Sequence, residues 1–529
     1  MRCFKRKLVK VLIFICLFFA VDEFCGFLLE PASYFGHYAT IDLKEAKGTV
    51  DTVFLGSSWT YMGYDCALYD EKMGTTSFNA GTIGQSTIDS YYYLKEILKN
   101  NPVKTVYYNI HHIKLQTLKG VDNAMVVSDR LSGINKWEHI ISSIDITGLP
   151  NLLKSYRYRG LIEDNNILNT VRLKMSDNYK MGKWYNETDM QRHSSMGFII
   201  SEYKIIPGNN ENFTVTETDW SIEGILDYNI DYLNKIVELC KKNQIELILV
   251  TPPFTLGFLQ TADYYDDFSL FMESYARENN LQYWDFNKLK NSPFVNELLF
   301  TDTSHLNYEG AQIYTNLLCE YLSNPNDIEF YDRLSDRPDI YKYCGGVKLK
   351  VEQTGSTYEL KAEAANDKDM NLLYRFLYYN VDSGEWITLQ EYSENDNCIV
   401  TDSDWKSNTG FRVECKGTGS EKVYDAYSEK FFGDIGYSQG MALYGRFIKE
   451  EMALHLVGSK KENAEYQFLQ WQPDGSYKII KDYSDENIFD VPIPAEGMYR
   501  YKIIARDAES QIVLGEAQFF IDTNTTATN

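Results

Sequence analysis

The chain predicts an α/β domain built on a parallel sheet between two helical layers, followed by two all-β sandwiches. Three observations carry this. Short apolar strands alternate with amphipathic helices from Thr49 to about Leu322. A tyrosine-rich pattern then repeats with a period of about 90 residues. At 529 residues, the chain exceeds one ordinary core.

The elements follow in order. Arg2, Lys5, Arg6, Lys7 and Lys10 precede the apolar run Val11 to Val21, which reads as an export signal. The run is shorter than the ~20 residues a spanning helix prefers. Leu8 and Val9 extend it inward, and Phe24 to Leu29 extend it outward past Asp22 and Glu23. Cleavage after Ala20 would place Phe18 where a signal peptidase wants a small residue, so residues 1–30 are expected to stay as a membrane anchor, secreted only if cleaved. The basic flank stays cytoplasmic, which puts the bulk on the extracellular face of the cell membrane. Cys25 lacks a convincing lipobox.

Within 31–335, Thr52 to Leu55, Thr75 to Asn79, Val103 to Ile110, Ile245 to Val250 and Gln282 to Phe286 read as strands. Ile88 to Leu98, Ile225 to Lys242, Phe268 to Asn279 and Asn307 to Leu322 read as helices. Residues 116–221 break the alternation with a polar, aromatic stretch holding Trp137, Tyr156, Tyr158, Trp184, Tyr185 and Trp220. An insertion of this size beside an α/β site forms a lid or substrate wall, or else a helical decoration. In 340–436 and 437–523, Tyr374-Arg375-Phe376-Leu377 returns as Tyr466-Gln467-Phe468-Leu469. Asp382-Ser383-Gly384-Glu385-Trp386 is answered by Pro473-Asp474-Gly475-Ser476-Tyr477.

Composition bounds the function. The net charge of −23 excludes phosphate-backbone recognition, so no nucleic acid is expected. The 41 tyrosines suit half-wet surfaces that grip sugars or pack in exposed β-domains. None of the nine cysteines forms a C-x-x-C pair. Cys398 and Cys415 are candidates for a bridge between strands, and most of the rest read as buried thiols.

Two segments carry chemistry. Val53-Phe54-Leu55-Gly56-Ser57-Ser58 is a buried strand delivering a serine to a loop. Asp302-Thr303-Ser304-His305 is a polar turn that places an imidazole beside a carboxylate, ahead of a helix. A serine hydroxyl is a poor nucleophile until a base takes its proton and a carboxylate orients the base. Between them stands Asn79-Ala80-Gly81-Thr82-Ile83-Gly84. His37, His139, His193 and His455 show no partner pattern, and Asp65, Glu71 and Asp89 follow no paired-carboxylate logic. His111-His112 lacks a third metal ligand, so neither metal nor organic cofactor is expected.

On these motifs, residues 50 to 325 resemble the SGNH (GDSL-like) hydrolase superfamily, in particular its membrane-anchored, DltD-like branch, which carries Gly-Ser-Ser. The resemblance implies an SGNH-type three-layer sandwich with Ser58 as nucleophile, His305 as base and Asp302 as orienter. It implies an oxyanion hole from the Ser58 and Gly81 backbones. The Gly-x-Asn-Asp block is absent after the third strand, where Asn109 or His112 remains as the possible side-chain donor. The family's chemistry implies an esterase or O-acyltransferase acting on acyl-bearing cell-envelope polysaccharide or teichoic acid, with a membrane-bound acyltransferase as partner. The alternative is a weak relic serving as a surface glycan-binding or adhesion protein. The repeated region resembles triple-tyrosine, Ig-like modules of bacterial surface proteins.

Overall fold

The computed structural model describes residues 2–30, 35–119, 126–144, 146–159, 167–180, 191–205, 208, 221–262, 264–355, 357–365, 369–380, 383–401, 409–432, 436–438, 441–448, 453–472, 477–493, 498–511 and 513–522. The chain divides into two compact units. One is Met1–Ile205 with Glu217–Arg337, and the other is Ile206–Thr216 with Pro338–Asn529. Within that unit Gly208 O accepts the Tyr427 N–H at 2.6 Å.

The first unit runs α1 (Arg2–Leu29), α2 (Phe35–Glu45), β1 (Thr52–Gly56), α3 (Ser58–Tyr61), α4 (Cys66–Met73), β2 (Ser77–Gly81), α5 (Thr87–Ile97), β3 (Thr105–Asn109) and α6 (His112–Gln116). It continues through α7 (Gly133–Ser143), α8 (Lys154–Arg157), α9 (Ile167–Met175), α10 (Asp177–Lys180), the hairpin β4 (Gln191–His193) and β5 (Ile199–Ser201), and α11 (Asp227–Lys242). It closes with β6 (Glu246–Thr251), α12 (Leu256–Gln260), α13 (Tyr265–Asn279), β7 (Gln282–Asp285) and α14 (Tyr308–Ser323). Five strands form a parallel sheet in the order β2-β1-β3-β6-β7. Buried residues alternate between its faces as a parallel sheet requires. Val53, Leu55, Val106 and Leu249 pack against α5, α11 and α13, whereas Phe54, Tyr107, Ile248 and Val250 pack against α4 and α14. This is the three-layer α/β sandwich that the alternation predicts.

The described residues of the insertion include four helices and a hairpin. α7 lies on α5 through Asn135 Nδ2, which donates to Tyr92 O (3.0 Å) and Glu96 Oε2 (2.7 Å). Trp184, Tyr185 and Trp220 lie outside the described residues. Val9–Leu29 within α1 is long and apolar enough to cross a membrane, by length and composition. Its Asp22 carboxylate accepts the Lys154 and Ser155 N–H groups at 2.9 and 3.1 Å, satisfying donors at the start of α8 that the helix leaves unpaired.

The second unit holds two β-sandwiches. The first packs the sheet β11-β10-β13-β14 (Glu385–Ser393, Leu372–Asn380, Thr409–Gly417, Ala426–Phe432) on β12-β9-β8 (Asn397–Thr401, Thr357–Ala364, Val347–Thr354). The second packs β19-β18-β21-β22 (Tyr477–Ser484, Ala464–Trp471, Met498–Asp507, Val513–Asp522) on β15-β16-β17-β20 (Gly436–Ser438, Met441–Ile448, Ala453–Gly458, Ile488–Pro492). The repeat extends to backbone irregularities: the register shifts between Tyr374 and Leu377 recur between Tyr466 and Leu469. Cys398 and Cys415 do not bridge. Cys415 is a buried free thiol on β13 beside Cys344, whereas Cys398 lies half-buried on β12 in the opposing sheet.

Burial raises the thiols of Cys66, Cys240 and Cys415 well above the ordinary range, and thiolate is the reactive form. In the detergent-solubilised full chain, Cys66, Cys240, Cys319, Cys344 and Cys415 should resist a maleimide. In denaturant they should react without reductant. A need for reductant at Cys344 and Cys415, read by mass spectrometry, would contradict the free thiols.

Candidate active site

The site begins at the carboxyl end of β1. Gly56 pairs with Gly81 across the parallel register, and Leu55 with Tyr108, so the ends of β1, β2 and β3 finish nearly level. Gly56 has φ +150°, and a Cβ there would lie 2.3 Å from Thr60 Oγ1 and 2.9 Å from Asn109 Cβ. Only glycine permits both the backbone angle and the approach. The chain then turns directly into α3, with Ser57 at the N-cap position and Ser58 first in the helix.

The loop 301–305 brings His305. Thr301 N donates to His305 O at 2.9 Å and Asn307 N to Leu299 O at 3.0 Å, closing the turn. Asn307 caps α14 by accepting the Gly310 N–H at 3.0 Å. Asp302 Oδ1 accepts the backbone N–H groups of Ser304 (2.8 Å) and His305 (2.9 Å), while its Oδ2 lies 2.8 Å from His305 Nδ1. His305 Nε2 stands 2.7 Å from Ser58 Oγ. With Nδ1–H donating to the carboxylate, Nε2 is left to accept the Ser58 proton. Partial burial pushes Asp302 up. The His305 contact and the two backbone donors outweigh it, so its carboxyl lies below the ordinary range.

The structure thus joins Ser58, His305 and Asp302, which are separated by 247 residues at the Ser58–His305 contact. Gly81 stands at the end of β2, level with Gly56. Its N–H donates to Asn79 Oδ1 at 3.2 Å, and a Cβ would meet Tyr61 N at 2.7 Å and Ser57 O at 2.8 Å. Its role in this structure is close approach to the nucleophile turn. Asn109 lies at the end of β3 with Oδ1 accepting the Tyr64 hydroxyl at 2.6 Å, and that hydroxyl is 2.9 Å from Tyr314's. This fixes the amide and leaves Nδ2 buried without a partner. His112 has both ring nitrogens buried without partners.

Sequence reasoning passed over Trp59 and treated His111 only as a doubtful metal ligand. The Trp59 ring meets His111 edge to face at 3.8 Å and lies 5.0 Å from Phe254 and 5.8 Å from His305. Burial first, then the positive fields of Lys114, His112 and His305, hold His111 far below the ordinary imidazole range, so it is neutral. Adjacency of Trp59 to Ser58, and of His111 to the end of a strand, was the available signal. Asp65 caps α4, His193 pairs with Asp42 at 2.7 Å, and His455 pairs with Asp490. His37 stacks on Tyr179 at 4.0 Å.

A family model matches residues 217–325, the stretch from the end of the insertion to the end of α14 that includes Asp302 and His305. No curated protein matches. Among solved structures, the chain is similar to a candidate acylhydrolase from Bacteroides fragilis, at 14% identity and TM-score 0.26, over 54% of this chain and 93% of that one. It is similar to a candidate lipolytic protein of the G-D-S-L family from Desulfitobacterium hafniense, at 14% identity and TM-score 0.25, over 51% and 99%. It also resembles the chicken interferon gamma receptor alpha chain, at 13% identity and TM-score 0.15, over 34% and 97%.

Two glycines separate crowding from backbone strain. Gly74, at φ +68° with no atom within 4 Å of where a Cβ would stand, should lose only ~1 kcal/mol on Gly74→Ala. Gly56→Ala adds collision to a forbidden angle and should cost ~3 kcal/mol or more. Urea denaturation of the two variants compares them directly, and equal losses would refute the crowding at Gly56.

Proposed function

We propose that this protein is a serine-dependent acyl esterase or O-acyltransferase working through an acyl-enzyme on Ser58. The observation that carries this reading is the continuous contact from Ser58 Oγ to His305 Nε2, and from His305 Nδ1 to Asp302. Ser58 Oγ attacks the acyl carbonyl carbon as its proton passes to His305 Nε2. The imidazolium, held by Asp302, returns that proton to the departing alkoxide, which leaves as the alcohol. Water, or the hydroxyl of an acceptor, then attacks the acyl-enzyme with His305 again as base, and Ser58 is regenerated. The Ser58 N–H, at the start of α3, and the buried Asn109 Nδ2 are the donors we assign to the oxyanion.

The finer reading places this chemistry at the extracellular face of a membrane, on acyl-bearing envelope polysaccharide or teichoic acid, with a membrane-bound acyltransferase as partner. The docking of α1 on α8 through Asp22 supports a retained anchor, because a removed signal would forfeit those capping bonds. The net charge of −23 suits an uncharged or cationic acceptor better than an anionic one. The engaged Gly81 N–H favours the second reading, a weak relic used for binding.

A fluorophosphonate should label the full-length protein at Ser58, and His305→Ala should abolish labelling. Asp302→Asn should slow it by ~10²–10⁴, the scale of losing the group that sets tautomer and orientation. Absence of any serine adduct, with a known esterase reacting fully alongside, would favour the relic. Labelling at Ser57 would move the nucleophile by one residue.

The acid limb of the rate should follow one proton. Asp302 titrates below its usual value, so it remains ionised down to about pH 4. Hydrolysis of 4-nitrophenyl acetate should fall with unit slope on acidification above about pH 4. A slope of two in that range would mean that Asp302 takes up a proton there as well.

A further inference from the structure

A second Ser-His-Asp set lies inside the first unit, away from solvent. His139 Nε2 is 2.6 Å from Asp89 Oδ1, and His139 Nδ1 is 2.8 Å from Ser128 Oγ. Ser128, His139 and Asp89 are each at most 2% exposed, so no substrate reaches this serine. The nitrogens are also exchanged relative to the site above: the carboxylate holds Nε2 and the serine faces Nδ1. The set is therefore built to hold something in place.

What it holds is the loop 82–86. Asp89 Oδ2 accepts the Ser86 N–H at 2.8 Å and the Ser86 hydroxyl at 2.7 Å, while Asp89 N donates back to Ser86 Oγ at 3.2 Å. This reciprocal cap starts α5. The other end of the loop is tied by Thr82 N to Gly56 O at 3.2 Å, two residues before Ser58. Its first neighbour, Gly81, packs on the nucleophile turn. Between the ties, Ile83 and Gly84 are exposed and Gly84 takes φ +56°. Thr82 Oγ1 and Gln85 Oε1 are buried without partners. Inside the loop, Gln85 N donates to Thr82 O at 3.4 Å and its Nε2 to Ser90 Oγ at 3.1 Å, so the exposed turn at Ile83 and Gly84 takes its position from these bonds and from the ties at its ends.

We propose that Asp89 and His139 are positioning residues for the Ser58 chemistry: the insertion helix α7 supplies His139 to lock the carboxylate that clamps the loop beside the nucleophile. This rests on the esterase or transferase reading above. Burial alone would raise Asp89, but the bonds from His139 and Ser86 outweigh it and keep the carboxylate charged, able to accept from both sides at once. Lys114, on α6 after β3, also faces Asp89, and the Tyr92 ring closes over His139 at 5.4 Å. One carboxylate thus joins the loop after β2 to the insertion. Displacement of a site wall by about an ångström is enough to cost ~10²-fold in rate.

The test uses the full chain in detergent with 4-nitrophenyl acetate. His139→Phe keeps ring volume and removes the donor, whereas His139→Gln restores an N–H toward Asp89. Ser86→Ala cuts the clamp from the loop side at a half-buried position, and it serves if the Phe variant does not fold. Expected is a kcat lowered ~10–100-fold in His139→Phe and Ser86→Ala, KM within about twofold of wild type, and recovery to within about fivefold in His139→Gln. Wild-type kcat in folded Phe and Ala variants would overturn the proposal. So would losses matching the unfolded fraction that glutamine does not rescue. Wild-type protein unlabelled at Ser58 is a different result and defeats the catalytic reading itself.

Discussion

The parallel register of β1 between β2 and β3 is the constraint on which the site depends. It sets Gly56 against Gly81 and ends β3 at Asn109. Three backbones therefore emerge from the sheet almost level, and the first turn of α3 sits tightly among them. Any side chain at Gly56 or Gly81 would push this turn away. Hydrophobic burial on both faces fixes the register, because a one-residue slip would exchange Phe54 with Leu55 and put each on the wrong side.

From that edge the site needs only one distant contribution. The loop carrying Asp302 and His305 is shaped locally, by Asp302 accepting two backbone N–H groups and by the Asn307 cap. Thr255 Oγ1, at the N-cap of α12, donates to Thr303 O at 2.5 Å, and the Thr301 hydroxyl is 2.9 Å from Ser201's on β5. His305 thus reaches Ser58 on a loop braced from both flanks, and little of its geometry depends on long side chains.

The legible parts of the sequence were those in which one residue type answers one local need. Gly-Ser-Ser after an apolar strand and Asp-x-x-His before a capped helix are such cases, as are the period-2 strands of the repeats. Hidden parts depend on residues that meet only in three dimensions. Asp89 reads as an ordinary acid four positions before Tyr93, yet it is a capping carboxylate fixed by a histidine 50 residues away. Gly81 carried a catalytic expectation because its position in a motif says nothing about Asn79 Oδ1 competing for its N–H. Cys398 and Cys415 fall in one domain, but β12 and β13 belong to opposing sheets, which pairing by sequence order cannot see.

The two Ser-His-Asp sets show why constellation alone does not decide chemistry. Each has a serine and an aspartate on the two nitrogens of one histidine, at 2.6 to 2.8 Å in both cases. In the set at the carboxyl end of the sheet, Ser58 is partly exposed at the start of α3. In the buried set Ser128 has no approach for a carbonyl, and Asp89 spends its second oxygen on Ser86. The same bonds that would activate a nucleophile at an open edge serve, when enclosed, to fix a loop. Exposure and the remaining partners of the carboxylate, rather than the three residue types, separate a catalytic arrangement from a structural clamp.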